Sequence, residues 1–128
     1  MKKQNLLLSI LCLYTFNLSA QNNTIEESSY NFIKMYIGHG TPFFLELGSD
    51  TCPGCKVMGK TLYKVHKEHP KYNIKYVNIS KDRRVSSMLD ISVIPTQIIY
   101  DKNGEEVYRH VGKISESELL KILKKYRF

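Results

Sequence analysis

Residues Phe43 to Lys56 read FFLELGSDTCPGCK. The first five are nearly continuous in apolar side chains, with Glu46 as the one exception, and such a run suits a short strand buried on both faces. Cys52 and Cys55 follow at the junction with a segment in which Met58, Leu62 and Val65 recur at i, i+4 and i+7. That period predicts an amphipathic helix from Lys56 to about His69, stopped by Pro70. Two cysteines three positions apart serve as a metal clip, a structural bridge or a catalytic pair. The rest of the chain decides between these.

The chain has 128 residues and three cysteines. Its first twenty, MKKQNLLLSILCLYTFNLSA, place Lys2 and Lys3 before an apolar stretch from Leu6 to Leu18 and end on Ser19 and Ala20. This is the order of a secretory signal peptide, and the apolar stretch falls short of the roughly 20 residues that span a bilayer. Residues 1–20 are therefore expected to be a signal peptide cleaved near Ala20, and residues 21–128 a single domain in an exported, periplasmic location. An uncleaved anchor is the alternative. Cys12 would leave with the signal, so Cys52 and Cys55 have only each other, in a compartment where disulfides persist.

The formal charge of +7 falls to +5 once Lys2 and Lys3 are set aside. The remaining cations are scattered, apart from Lys121, Lys124, Lys125 and Arg127 near the C-terminus. These read as a solvated helix face with cations at its C-terminal end, and no nucleic acid partner is expected.

Along the chain a helix is expected from Thr24 to Ile37, with Thr24 and Glu27 as a capping box and Ile25, Phe32 and Tyr36 near helical spacing. Gly38, Gly40 and Pro42 break it. Strands follow at Phe43–Leu47, Ile74–Ile79, Thr96–Tyr100 and Glu105–His110, the last two joined through a turn at Asp101-Lys102-Asn103-Gly104. A short helix covers Asp82–Leu89. A final one starts at Ser115, is boxed by Glu118, and buries Leu119, Ile122, Leu123 and Tyr126. The order helix, strand, helix, strand, helix, strand, strand, helix implies an α/β fold with a mixed central sheet flanked by helices.

Cys52 lies close to the first turn of its helix, where unpaired N–H groups and the helix dipole favour a thiolate. That makes Cys52 the nucleophile of disulfide exchange, and Cys55, one turn inside, the resolving thiol. Pro53 fits a first helical position, where its missing N–H is no loss, and Gly54 adds little bulk around the sulfurs. A structural zinc site would need four ligands, and His39, His66, His69 and His110 show no paired spacing to the motif. Metal binding, with copper ahead of zinc, and an inert bridge stand as the alternatives to redox chemistry.

With Ile94-Pro95-Thr96 about forty residues after the cysteine pair, the chain resembles the thioredoxin family across residues 21–128. FFLELGSDTCPGCK, Ile94-Pro95-Thr96, the hairpin at Lys102-Asn103-Gly104 and Gly112 carry the resemblance. It implies that Pro95 is cis, packs against the disulfide, and with Ile94, Pro53 and Gly54 contacts the substrate chain. It also implies that Glu46 stands where the family has a buried aspartate that moves the proton of the second cysteine. Burial in an apolar strand would raise the pKa of such a carboxylate; the alternative is an edge-strand glutamate turned to solvent.

The chain departs from the family pattern in Pro53-Gly54 for the usual Gly-Pro, Thr51 for tryptophan, Lys60 (after Gly59) for the helix-kinking proline, and Tyr76 for the lysine beside the buried carboxylate. These departures bear on redox potential. The implied function is an exported thiol:disulfide oxidoreductase that reduces protein disulfides in the cell envelope, cytochrome c maturation being one such pathway. No nicotinamide- or flavin-binding motif is present, so no cofactor beyond the Cys52–Cys55 disulfide is expected. The expected partners are protein thiols and disulfides and a membrane electron donor, with the protein itself a monomer. A disulfide oxidase or isomerase, and a non-catalytic copper- or partner-binding module, are the alternatives.

Overall fold

The computed structural model describes residues 23–128. The expected signal peptide over residues 1–20, with Cys12 and the cleavage point near Ala20, lies outside the described residues. The elements are α1 (Tyr30–Ile33), β1 (Phe43–Gly48), α2 (Pro53–Glu68), β2 (Ile74–Asn78), α3 (Arg83–Met88), β3 (Thr96–Tyr100), β4 (Glu106–Val111) and α4 (Glu116–Lys125). The order is the one the sequence predicts.

The four strands form one sheet in the order β2-β1-β3-β4. β1 runs parallel to β2 and antiparallel to β3, and β3 pairs antiparallel with β4. β1 is therefore an inner strand with helices on both faces, which is why all six of its residues are buried. Alternation along it divides the core. Phe44 points to one side, packing with Met58, Leu62 and Val65 of α2 and Leu119 and Leu123 of α4. Phe43, Leu45 and Leu47 point to the other, with Ile33 of α1 and Val85 of α3.

The first helix is much shorter than expected. Instead of forming a capping box with Thr24, Glu27 makes a parallel bridge to Tyr76, and Ser28 N–H donates to Tyr76 O at 2.8 Å. This extended segment takes up hydrogen-bonding groups on the free edge of β2, and that tertiary demand overrides the local helix signal. Ser29 then caps α1, its hydroxyl accepting from Phe32 N–H. Only Ile33 of this helix is buried, while Phe32 and Tyr36 are exposed and pack on each other at 5.0 Å.

Three smaller differences concern boundaries and faces. α2 starts at Pro53 rather than Lys56, because Cys52 itself caps it. β4 is displaced by one residue from the expected Glu105–His110: the Asp101 carboxylate accepts from both Asn103 N–H and Glu105 N–H, holding Glu105 in the turn. In α4, Ser115 caps as expected by accepting from Glu118 N–H, but Ile122 and Tyr126 are half-buried, leaving Leu119 and Leu123 as its buried anchors. No helix among the described residues is long and apolar enough to cross a membrane.

Candidate active site

Cys52 sits at the N-cap of α2 in extended backbone conformation, with Pro53 following at the first helical position. Its Sγ accepts from Cys55 N–H at 3.2 Å. A sulfur held there gains from the N–H and from the positive end of a helix of 16 residues, and both favour a thiolate when the bond is reduced. Cys52 and Cys55 are joined as a disulfide with Cα atoms 5.2 Å apart. Cys52 is half-buried and Cys55 is buried, so a partner reaches Cys52 first.

The loop before β3 forms the facing wall. The Ile94–Pro95 bond is cis. The carbonyl of Ile94 lies 3.9 Å from Cys52 Sγ, a contact without a hydrogen bond while the sulfur carries no proton. A Cβ placed on Gly54 would lie 3.3 Å from Pro95 Cδ, so the glycine between the cysteines lets the proline ring seat closely. Pro95 O accepts from Gly112 N–H at 2.8 Å, and Gly112 has φ 101°, a conformation that glycine tolerates best. Pro53 is exposed and Ile94 half-buried, with Val93 and Val111 exposed around them.

Behind the disulfide, Glu46 is only 1% exposed, because β1 is an inner strand and not an edge. Burial pushes its carboxyl up to about 8, opposed by the Gln97 amide, which donates to both oxygens at 3.3 and 3.0 Å. Glu46 and Gly48 share one face of β1 by alternation, and Cys55 packs directly on Gly48. Tyr76 pairs with Glu46 across the β1–β2 ladder. Burial pushes its hydroxyl up to about 12, reinforced by the negative charges of Asp50, Glu27 and Glu46. A cavity of about 360 Å³ opens between Cys55, Tyr76, Asp50 and Lys60.

Two contributors escape the sequence reading. A Cβ on Gly48 would lie 2.9 Å from Cys55 Sγ, 3.0 Å from Cys55 Cβ and 3.2 Å from Tyr76 Cε2, so the bare backbone is what lets α2 begin so near the sheet. Gly48→Ala is expected to destabilise the oxidised protein by about 1–3 kcal/mol in urea denaturation, since neither neighbour is the free end of a flexible chain; a loss below about 0.5 kcal/mol would show that the helix start shifts freely. The other is Gln97, fully buried in TQIIY. It is a polar interruption in an apolar strand like Glu46 in FFLELG, and two such interruptions were the available signal.

A family model described as a thioredoxin-like domain matches residues 31–127. The mitochondrial thioredoxin of Bos taurus is 28% identical over 116 residues, covering 90% of this chain, and the chain spans 64% of that relative's length. Among solved structures, chloroplastic thioredoxin z superposes with a TM-score of 0.72 at 19% identity, over 80% of this chain and 94% of the other. Mitochondrial thioredoxin 3 of Saccharomyces cerevisiae, in its oxidised form, superposes at 0.67 with 17% identity, over 79% and 94%. At these identities the structural likeness speaks for the fold.

Proposed function

The chain belongs to the thioredoxin-like domain family, and from that premise we propose that it is an exported, periplasmic reductant of protein disulfides. The observation that carries the reading is the asymmetry of the Cys52–Cys55 pair, one sulfur half-exposed at a helix N-cap against Ile94-Pro95 and the other buried over the face that holds Glu46. The export part rests on residues 1–20 as a cleaved signal peptide ahead of a domain over residues 21–128.

In the reduced protein the Cys52 thiolate attacks one sulfur of a substrate disulfide and expels the other as a thiolate, leaving a mixed disulfide. The Cys55 thiol gives its proton, by way of a solvent water, to Glu46 in its ionised form, which burial makes the minority form below pH about 8. Cys55 then attacks Cys52 Sγ and expels the second substrate thiolate, which regenerates the intramolecular disulfide. Two electrons pass to the substrate, which takes up two protons as its thiolates neutralise. Ile94 and Pro95, with Pro53 and Gly54 opposite, position the substrate backbone. Resetting the pair takes two electrons from an external donor, a membrane protein in this reading. Maturation of c-type cytochromes is one exported process that consumes such reductant.

Cys55→Ser tests the reading. In the native host it should accumulate mixed disulfides through Cys52, and mass spectrometry of the adducts would name the substrates. Recovery of no protein adduct would overturn a role in protein disulfide exchange. Equilibration of the wild-type pair with glutathione sets the direction: a potential at or below about −200 to −230 mV supports reduction, while one near about −120 mV makes the protein an oxidase.

A further inference from the structure

One transverse row of residues crosses all four strands. Tyr76 pairs with Glu46, Glu46 with Gln97, and Gln97 with His110. The last three are hydrogen-bonded in sequence. Gln97 Nε2 donates to the Glu46 carboxylate and to Gly112 O, the latter at 3.1 Å, so both amide hydrogens are committed to acceptors. A reversed amide would set its oxygen against the Gly112 carbonyl whether or not Glu46 carries a proton, which fixes the orientation as Nε2 inward. Gln97 Oε1 is left to accept, and His110 Nδ1 lies 2.8 Å from it. The imidazole must therefore carry its proton on Nδ1. That hydrogen bond survives in both charge states of the ring, because protonation adds its proton at Nε2.

We propose that Gln97 and His110 are positioning residues for Glu46, a row that holds its carboxyl group in place and sets the pH at which it exchanges a proton with Cys55. The inference rests on the exchange reading for the identity of that proton partner, and on geometry alone for the row. The amide N–H turned toward Glu46 stabilises the ionised form of the carboxyl, opposing the effect of burial. His110 acts at one remove, by keeping the amide from turning. Other titratable groups near the row are Tyr76 from β2, with Glu27 and Asp50 near it, Cys55 from α2 once reduced, and Tyr108, which stacks on His110 and meets Tyr126 of α4, with Glu118 near it. None of the ion pairs among the described residues includes Glu46.

Carbon-13 NMR of glutamate carboxyls in the oxidised protein reads the Glu46 titration directly, with Glu46→Gln assigning the signal. In Gln97→Met, close to isosteric, the Glu46 midpoint should rise by about one pH unit. Gln97→Leu serves as a second form should the first not fold. His110→Ala should raise the midpoint by a smaller amount, and His110→Asn, which restores an N–H where Nδ1 stood, should return it to the wild-type value. A merely structural role would lower Tm and leave the midpoints alone. Unmoved midpoints in the Gln97 variants would overturn the row. An unmoved midpoint in His110→Ala, or His110→Asn shifting as far as His110→Ala, would remove His110 from it. The pH profile of insulin disulfide reduction is the second arm and should move with the Glu46 midpoint. A wild-type protein that does not reduce insulin would sink the exchange reading while the NMR titration still decides the row.

Discussion

Cys52→Ser is expected to bring insulin disulfide reduction down to the rate of the uncatalysed mixture, a loss of about three orders of magnitude or more. A serine hydroxyl does not ionise near neutral pH and does not attack sulfur as a thiolate does, so the first bond of the exchange cannot form. The substitution also isolates chemistry from folding. Cys52 caps α2 through its Sγ, which accepts from Cys55 N–H. Serine is a preferred N-cap with a shorter reach to the same donor, so the helix keeps its start. The lost cross-link closes a loop so short that its chain-entropy contribution is only about 2 kcal/mol. Comparison with reduced wild-type protein removes even that difference. Activity within tenfold of wild type, with an unchanged far-ultraviolet spectrum, would end the assignment of Cys52 as nucleophile.

The second large effect concerns stability against pH and is centred on Glu46. Its carboxyl titrates near 4.5 when unfolded and is pushed up to about 8 by burial in the native state. Between those values the native protein holds a proton that the unfolded chain has released, so stability falls as pH rises. The contribution is complete below pH about 4.5 and gone above about 8. At about 1.4 kcal/mol per pH unit, its limiting size is about 5 kcal/mol. Glu46→Gln mimics the protonated acid and carries no such penalty. In urea denaturation of the oxidised proteins, the two should be nearly equal at pH 4, and the variant should be more stable by several kcal/mol at pH 9. Other titrating groups largely cancel in the difference. Two stability curves that run parallel from pH 4 to 9 would show that the carboxyl is not held protonated by its surroundings.

The same substitution should slow resolution of the mixed disulfide if Glu46 accepts the Cys55 proton. Stability and kinetics thus pull in opposite directions at one residue. An amide in place of the acid would make a firmer protein and a slower exchanger. This is the pattern expected where a buried ionisable group is kept for chemistry.

Much of this molecule follows from local signals. The period of Met58, Leu62 and Val65 gives α2, the apolar runs give β1 and β3, Gly104 gives the hairpin, and Ser115 with Glu118 gives the start of α4. Each is a matter of residues within one turn or one strand of each other, and at these places the packing of the rest of the chain agrees with the local preference. The cysteine pair at a strand-to-helix junction was legible for the same reason. So was the apolar company of Glu46, although a strand's position within its sheet is not a local property. Only the placement of β1 between β2 and β3 turned that glutamate inward.

Where local and long-range demands disagreed, the long-range ones prevailed. Thr24 and Glu27 offer a helix start, but the edge of β2 beside them offers backbone hydrogen bonds, and Ser28 takes one. The tertiary structure alone decided that Glu46, Gln97 and His110 form one row, because register between strands is fixed by packing on both faces of the sheet. It alone brought Gly48 under Cys55, a contact between a strand end and the first turn of the following helix. By itself, then, the sequence determined the order of the elements, the extent of most of them, and the cysteine pair that forms the disulfide. The surroundings of the pair were decided by the tertiary structure, since they are made by strands and helices meeting at distances no local pattern encodes.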